Sequence, residues 1–446
     1  MAQRPGGSSA QNSSHCTWVE ENASAATESN RYDVVVTSTP TPAALPNYRP
    51  HAKYVLMLGA IAAVPAISTD IYLPSLPTVA AELSASDSAV QLTMSGMLIG
   101  GAVGQLVYGP LTDRFGRKAP LLVGLALHVI ISILCAFAPN VSVLIGLRVL
   151  QGFCNAAASI VAISVIRDRF TGAPAARLLS QLMLVIGVAP LFAPTIGGFI
   201  ASIWDWRAVF IALAAFGLFM WIGVGKFLPE TLPVERRITG GARGVARGYK
   251  TLFTDPKFLA LALLPAVAMT TIMCYVVGSP FVFQEGFGLS KGEFSALFAV
   301  NGVALVLSSQ LNAALVTRFA PSALLRTALL AQVAIAALLV VLARTEAGGF
   351  WAFAGCLWLL LMFQGLIAPN AQVLALNNYG HMVGTAAAVL GSLMAGVSGL
   401  VSPLVGVFGA DAQAMSLVIF GSLCVGVLIL IFGTDAFAKK PRQNRG

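Results

Sequence analysis

Long apolar runs, separated by short polar or basic segments, repeat along the chain from about residue 54 to residue 433. A helix needs about 20 apolar residues to cross the hydrocarbon core of a bilayer. Twelve runs reach that length, and the predicted spans are 54–76, 88–109, 119–138, 141–166, 177–202, 206–227, 258–283, 291–316, 322–343, 349–373, 383–407 and 411–433. The pattern therefore predicts an all-α polytopic membrane protein with twelve transmembrane helices.

The longest interior polar segment, 228–257, follows the sixth span and is predicted to be a cytoplasmic linker loop. It separates residues 54–227 from residues 258–433, which are predicted to form two six-helix bundles around a central cavity, as in many transporters. A weak internal repeat supports this division. LVTRFAPSALL after the eighth span aligns with LTDRFGRKAPL after the second when Leu315 is set on Leu111.

The two ends of the chain differ in composition from its middle. Residues 1–53 are rich in Ser, Thr, Asn, Ala and Pro and have no helical apolar period, so we expect a disordered cytoplasmic tail that serves as a linker or in regulation. This segment does not have the plan of a cleaved signal, so the first span should itself direct insertion. Residues 434–446 are predicted to be a basic cytoplasmic tail.

Basic residues fall mainly in the loops that follow even-numbered spans, and only Arg207, Lys291 and Arg344 lie on the other side. Cytoplasmic loops retain Lys and Arg, so both termini are predicted to be cytoplasmic. The NNYGH segment after the tenth span has no Lys or Arg and supports this topology least.

Composition agrees with a membrane protein, since 57% of residues are hydrophobic and only 10% are charged. The net charge of +9 comes from loop bases that topology requires, so we do not expect nucleic-acid binding. Six scattered cysteines form no CxxC or Cys/His cluster, and no metal site or cofactor is predicted. The absence of a phosphate loop, HExxH or nucleophile elbow argues against an ATP-driven pump or an enzyme. Energy should come from an ion gradient.

The densest polar stretch is GPLTDRFGRKAPL, Gly109–Leu121, which we call the loop motif. Asp113 can accept from backbone N–H groups at a helix start or pair with Arg117, while Gly109 and Gly116 should permit close helix approach and a tight turn. A simpler alternative is that the bases only hold this loop in the cytoplasm. The candidate residues of the motif are Gly109, Asp113, Arg114, Gly116, Arg117 and Lys118.

Two charges, Asp70 and Arg148, lie well within apolar spans. At 1.5 Å per helical residue they lie roughly 24 and 28 Å from the cytoplasmic ends of their helices, and therefore at similar depth. Pro74 and Pro77 should disrupt the helix just after Asp70. A weakly hydrated carboxylate favours its neutral form, which makes Asp70 a candidate proton carrier. A helix-terminal cap near the outer interface is the alternative.

Arg148, Gln151 and Asn155 recur at i, i+3 and i+7 and so form a polar stripe that should face inward. Arginine stays protonated, so Arg148 would orient or tune a neighbouring group. Hydrogen bonding between helices is the alternative for this stripe.

In the fifth span, GVAPLFAPTIGG, Pro190 and Pro194 should bend the helix, while Gly197 and Gly198 should permit close approach to the other half. A substrate site needs apolar walls with few polar groups. The candidates for such a cavity are Tyr72, Met94, Gln151, Asn155, Tyr275, Phe281, Phe283, Asn301, Gln364 and Asn370. Ordinary helix packing is the alternative for each of them.

The loop motif resembles the motif between spans two and three of the major facilitator superfamily, with Thr112 where Ala is usual. Four segments resemble the bicyclomycin and chloramphenicol resistance (Bcr/CflA) group of drug:proton antiporters. They are DIYLPSLP (70–77), GQLVYGPLTDRFGRK (104–118), PETLPVERR (229–237) and HMVGTAAAVLG (381–391). The resemblance covers the chain from about residue 50.

The resemblance implies that the loop motif latches the two halves and that Asp70 couples export to protons. LRVLQG, 147–152, resembles the fourth-span motif whose arginine, here Arg148, is implicated in proton transfer. GVAPLFAPTIGG, from Gly187 to Gly198, resembles the antiporter motif, although Ala189 and Ala193 stand where glycines are common.

We therefore predict a multi-pass exporter of the bacterial inner membrane that exchanges protons for a small, fairly hydrophobic drug-like molecule, surrounded by lipid and functional as a monomer. The alternative within transport is an exporter of a metabolite or amino acid with the same coupling. Outside transport, the alternative is a membrane sensor or scaffold.

Overall fold

The fold was obtained as a computed structural model, which describes residues 52–170, 172–237, 242–377, 379 and 382–434. The predicted tails, 1–53 and 434–446, lie almost entirely outside these residues. All regular elements of the described residues are helical. The α-helices are α1 (Ala52–Asp70), α2 (Leu76–Glu82), α3 (Asp87–Phe115), α4 (Lys118–Ala136), α5 (Val141–Arg169), α6 (Gly172–Ile203), α7 (Trp206–Phe227), α8 (Ala242–Thr254), α9 (Pro256–Pro280), α10 (Lys291–Leu315), α11 (Pro321–Thr345), α12 (Gly349–Met362), α13 (Gln364–Leu376), α14 (Val383–Val401), α15 (Leu404–Val407) and α16 (Ala412–Gly433).

Eleven stretches of the described residues are long and apolar enough to cross a membrane. Helix α6, which has 32 residues and ends in the apolar stretch Phe192–Ile203, supplies the twelfth. Several of the spans contain interruptions: α1 and α2 share one span, α12 and α13 share another, and α14 and α15 share a third. The predicted twelve-helix, all-α fold is confirmed.

Several helices begin where a polar side chain accepts a hydrogen bond from a backbone N–H of the first turn, which would otherwise have no partner. Asn140 caps α5 by accepting from the N–H of Val143 at 2.9 Å. Asp411 caps α16 in the same way. Ser290 and Glu293 form a reciprocal capping box at the start of α10. These caps explain why the helices start close to the bounds expected from the apolar runs.

The first span is broken at the predicted place. Helix α1 ends at Asp70, and a 3₁₀ turn over Leu73–Ser75 leads into α2. Pro74 and Pro77 lie at the starts of these two elements, where a missing N–H costs least. The polar segment 228–257, in contrast, contains the helix α8, which was not predicted.

Helices α3 and α5 are in very close contact. A methyl group added to Gly100 would lie 1.9 Å from the carbonyl oxygen of Val149, and one added to Gly152 would lie 1.9 Å from that of Met97. Such contact requires small residues, as is typical of helix pairs in membranes.

The first six spans meet the last six mainly through two pairs of helices, α3 with α14 and α6 with α10. The turn Leu73–Ser75 also contacts α9 and α10. Helix α8 packs on α9 and α14. The end of α1, which carries Asp70, therefore lies where the two sets of helices meet.

Candidate functional site

Arg117 is the centre of a polar cluster at the loop motif. Its Nη1 contacts Asp113 Oδ1 at 2.5 Å, and its Nε donates to Asp168 Oδ2 at 2.9 Å. Thr112 Oγ1 accepts a further hydrogen bond from Arg117 Nη1 at 3.1 Å. Burial opposes the charged form of Arg117, but the carboxylates of Asp168 and Asp113 raise its pKa overall. The cluster joins the ends of α3 and α5 to the turn before α4.

The carboxylate of Glu230, which follows α7, receives the first N–H groups of α4. Oε1 accepts from the N–H of Arg117 at 2.8 Å, and Oε2 accepts from the N–H of Lys118 at 3.1 Å. Oε1 also accepts from the N–H groups of Thr231 and Leu232. Burial acts to raise the pKa of Glu230, but these four backbone donors lower it below its usual value. An anion at a helix N-terminus is also favoured by the helix dipole.

Gly116 is required by its conformation and by its neighbours. Its φ is +90°, and an added methyl group would lie 2.4 Å from Glu230 Oε2. The predicted tight turn at Gly116 is confirmed. The close approach expected at Gly109 is wrong, since a methyl group there would meet Tyr249 Oη at 3.9 Å, an ordinary contact distance.

Of the two alternatives for Asp113, the structure shows the ion pair with Arg117. The guanidinium of Arg114 lies 5.3 Å from the ring of Phe115, and Lys118 Nζ donates to the carbonyl of Gly225 at 2.9 Å. The described side-chain contacts of the loop motif thus reach other parts of the first half and the segment after α7. The latch between halves stays a prediction.

Sequence reasoning missed Asp168 and Glu230. Asp168 lies between two arginines at the end of α5, and only those bases were used to assign topology. Glu230 belongs to PETLPVERR, which entered only as part of a family resemblance. An acid flanked by bases in a cytoplasmic loop is the signal that would have found Asp168.

Asp70 is the last residue of α1, and only 5% of its surface is exposed. Within the described residues, no basic side chain lies at ion-pair distance from it. Tyr275 of α9 lies close enough to interact electrostatically with the carboxylate. Gly197 of α6 packs on Ile71, the residue after Asp70, since a methyl group added to Gly197 would lie 1.7 Å from the carbonyl oxygen of Ile71. Asp70 is therefore enclosed where α1, α6 and α9 meet.

Arg148 is fully buried and bound to the same end of α1. Its Nη1 donates to the carbonyl of Ser68 at 3.0 Å and to Gln151 Oε1 at 2.6 Å. The guanidinium also lies 5.3 Å from the Tyr72 ring and 5.8 Å from the Phe210 ring. Because Ser68 is two residues from Asp70, the two charges lie at similar depth, as predicted.

The remaining first-half candidates surround this arginine. The sulfur of Met94 lies 3.6 Å from Arg148 Nη2. Gln151 Nε2 donates to Ser132 Oγ at 2.7 Å, which links α5 to α4. The side chain of Asn155 is buried and lies beside His128 of α4.

The second-half polar candidates form hydrogen bonds with groups on neighbouring helices. Asn301 Nδ2 donates to Tyr275 Oη at 3.0 Å. The Oε1 atom of Gln364 accepts from Gln332 at 2.7 Å, while its amide donates to the carbonyl of Ala268. Asn370 Nδ2 donates to Asn312 Oδ1 at 2.6 Å. These bonds join helices, as the packing alternative expects.

Phe281 and Phe283 are buried at the π-helical turn Phe281–Gly286. Phe283 is surrounded by other aromatic rings, with centroid distances of 5.8 Å to Phe287 and 6.1 Å to Phe350 and Phe353. The ten cavity candidates thus fall into separate groups. A cavity of about 630 Å³ between α9, α14, α15 and α16 is lined mainly by apolar residues and by none of these candidates.

In the fifth span, Gly187 and Pro190 lie in α6, but their side chains are outside the described part of the structure. The carbonyl of Pro194 accepts from Ser295 Oγ of α10 at 3.4 Å, and a methyl group on Gly198 would lie 3.1 Å from the same atom. Gly198 therefore approaches the other half, as predicted. The prediction for Gly197 is wrong, because that glycine contacts the end of α1 in its own half.

Twelve helical spans, a basic loop after the second span and buried charges in spans one and four are typical of a membrane transporter. The Major Facilitator Superfamily model matches residues 58–403, and the chain belongs to that family. The resistance proteins described next confirm the predicted membership of the Bcr/CflA group.

Three relatives align with this chain over nearly their whole length. An uncharacterized MFS-type transporter, YdgK of Bacillus subtilis, is 32% identical over 86% of this chain and 96% of its own length. The bicyclomycin resistance protein homolog of Haemophilus influenzae is 30% identical over 85% of this chain and 95% of its own. Multidrug resistance protein D of Escherichia coli is 27% identical over 86% and 93%.

Solved structures agree on the fold. The D-xylose-proton symporter superposes with a TM-score of 0.67 at 17% identity, over 87% of this chain and 98% of its own. The nucleoside transporter NupG gives 0.68 at 13% identity, over 84% and 98%. At these identities the similarity establishes the arrangement of helices alone.

Proposed function

We propose that this chain exports small, fairly hydrophobic drug-like molecules in exchange for protons, by alternating access. Support for the substrate class comes from relatives named for bicyclomycin resistance and multidrug resistance. Support for the coupling comes from Asp70, a buried carboxylate without a basic partner among the described residues. This single observation carries the proposal.

An ionised carboxylate that is shielded from both water and cations has a high free energy. Asp70 therefore takes up a proton when it is enclosed and releases it when water reaches it. Arg148 does not offset this cost, because its guanidinium is bound to Gln151, to the carbonyl of Ser68 and to aromatic rings. Its role in the proposal is to hold the end of α1 that carries Asp70.

Alternating access requires that the two halves move past this carboxylate. Tyr275 belongs to the second half, so a movement of that half changes the surroundings of Asp70. We assign the contacts of Leu73–Ser75 with α9 and α10 to the outer side, because the distribution of Lys and Arg puts the start of α1 in the cytoplasm.

Aromatic side chains of the second half suit the proposed substrate class. Tyr275 stacks on Phe298 with a centroid distance of 5.3 Å, and the aromatic cluster around Phe283 belongs to the same half. Aromatic and apolar walls with a few amides bind hydrophobic molecules with limited selectivity. A panel of drugs, tested on cells that lack their own exporters, identifies the substrate.

The test is Asp70→Asn, which keeps the shape of the side chain and removes its charge. In inverted membrane vesicles we expect a pH gradient to drive uptake of the identified drug by the wild type and not by this variant. Addition of the drug should release protons only from the wild type. Asp87→Asn, at the start of α3, is the matched control and should behave like the wild type. Retained drug-induced proton release by Asp70→Asn would refute the proposal.

A further inference from the structure

Helix α8, between the two halves, is attached to the second half by one face. Leu252 is fully buried in a cluster with Phe258 at the start of α9 and with Val389 and Leu390 of α14. The exposed face carries Arg247 and Lys250. An amphipathic helix of this kind is held by its apolar face, so α8 should move with α9 and α14.

The same helix also reaches the first half through one hydrogen bond. Tyr249 Oη donates to the carbonyl oxygen of Leu106 in α3 at 2.9 Å. In a regular helix that carbonyl would accept from the N–H four residues later. The residue there is Pro110, which has no N–H. The hydroxyl of Tyr249 therefore occupies the acceptor that Pro110 leaves without its usual partner.

We propose that Tyr249 is a positioning residue for transport, which ties the cytoplasmic end of α3 to the second half and so stabilises the conformation seen here. The inference rests on the alternating access proposed above. It also explains the proline of the loop motif, because Pro110 creates the acceptor to which Tyr249 binds.

The bond must break when the halves move at this end. Tyr249 follows α14 because Leu252, one helical turn away, is packed against it, whereas Leu106 follows α3. A net hydrogen bond inside a protein changes an equilibrium by between about two- and tenfold. Loss of the Tyr249 hydroxyl should shift the balance between the two conformations by that factor.

The first experiment measures hydrogen exchange of the α8 backbone amides in purified protein without a drug. Tyr249→Phe removes the hydroxyl and keeps the ring, and we expect exchange to rise between about two- and tenfold. Pro110→Ala restores an N–H that can bind the Leu106 carbonyl within α3. Tyr249→Phe should then have a much smaller effect in the Pro110→Ala background than in the wild type.

Tyr379→Phe is the matched control, since Tyr379 also donates from its hydroxyl near α8, but to Asp255. Its effect should be the same in both backgrounds. Unchanged exchange in Tyr249→Phe, or an equal rise with and without Pro110, would overturn the inference.

The second experiment measures drug export by the wild type, Tyr249→Phe, Pro110→Ala and the double variant. We expect the maximal rate to change between about two- and tenfold in Tyr249→Phe and to return toward the Pro110→Ala value in the double variant. Increased exchange without any change in rate would overturn the positioning role. If the wild type exports nothing, the proposed function fails while the exchange experiment still decides whether Tyr249 holds α3.

Discussion

Replacing Glu230 by Gln tests whether one carboxylate fixes the start of α4. In the native structure Oε1 accepts from three backbone N–H groups and Oε2 accepts from the N–H of Lys118. A glutamine can keep the first three bonds, but its NH₂ group then faces the N–H of Lys118. Two donors cannot bond, so Glu230→Gln loses one hydrogen bond and a negative charge at the helix N-terminus.

The size of the effect follows from these two losses. A hydrogen bond to a charged group contributes about 1.5–3 kcal/mol, and an anion at a helix N-terminus about 0.3–1 kcal/mol. Because the Glu230 side chain is exposed on one side, the lower ends apply, and we expect a loss of about 2 kcal/mol. That corresponds to a factor of about 30 in an equilibrium constant.

The effect should depend on pH with a definite sign. The pKa of Glu230 is lowered in the folded protein, relative to about 4.3 in an unfolded chain. Its contribution to stability is therefore complete above about pH 4.3 and is lost as the pH falls through the lower, folded value. Glutamine does not titrate, so the difference between wild type and variant should shrink in that acidic range.

Thermal unfolding of the purified protein in detergent measures this difference between pH 7 and pH 3. Glu235→Gln is the control, because Glu235 lies in the same segment but outside this set of hydrogen bonds. Equal melting temperatures of wild type and Glu230→Gln at pH 7, or a difference that persists unchanged to pH 3, would refute the reasoning.

Two further substitutions test the first half. Asp113→Asn removes the charge that pairs with Arg117. We expect this variant to insert normally, measured as protein level in the membrane, but to lose export, measured as drug resistance. Unaltered resistance would contradict the latch. Gly152→Ala places a methyl group 1.9 Å from Met97 O and should destabilise by about 1–3 kcal/mol. Gly146→Ala is the control, because a methyl group added to Gly146 would have no neighbouring atom within 4 Å. It should leave the melting temperature unchanged or raised. Equal melting temperatures of Gly152→Ala and Gly146→Ala would contradict the prediction.

The helical spans could be predicted because bilayer thickness sets the length of each apolar run. The starts of α5 and α16 lie close to the predicted bounds, where Asn140 and Asp411 cap the first turns. Helix α8 could not be found in this way. It has only 13 residues, too few to cross a bilayer, and its alternation of basic and apolar faces is the signal that would have found it.

The buried charges Asp70 and Arg148 could be found because charged residues are conspicuous in apolar spans. The partners of charged side chains could not be predicted in this way. Arg117 binds Asp168, 51 residues away, and its backbone binds Glu230, 113 residues away. Neither distance follows from helical periodicity. Amides such as Gln364 were equally ambiguous, because a polar side chain inside a bundle has the same sequence pattern whether it binds a ligand or a neighbouring helix.

The buried charged side chains of the described residues, Asp70, Arg117 and Arg148, all belong to the first half. Buried polar groups of the second half are neutral, with amide pairs such as Gln332 and Gln364. Apart from Tyr275, which neighbours Asp70, exchanging neutral side chains there replaces no buried charge and costs no more than ordinary polar substitutions. If export is coupled through Asp70 as proposed, the second half is the part of this transporter in which substrate range can diverge during evolution without exchange of a buried charge.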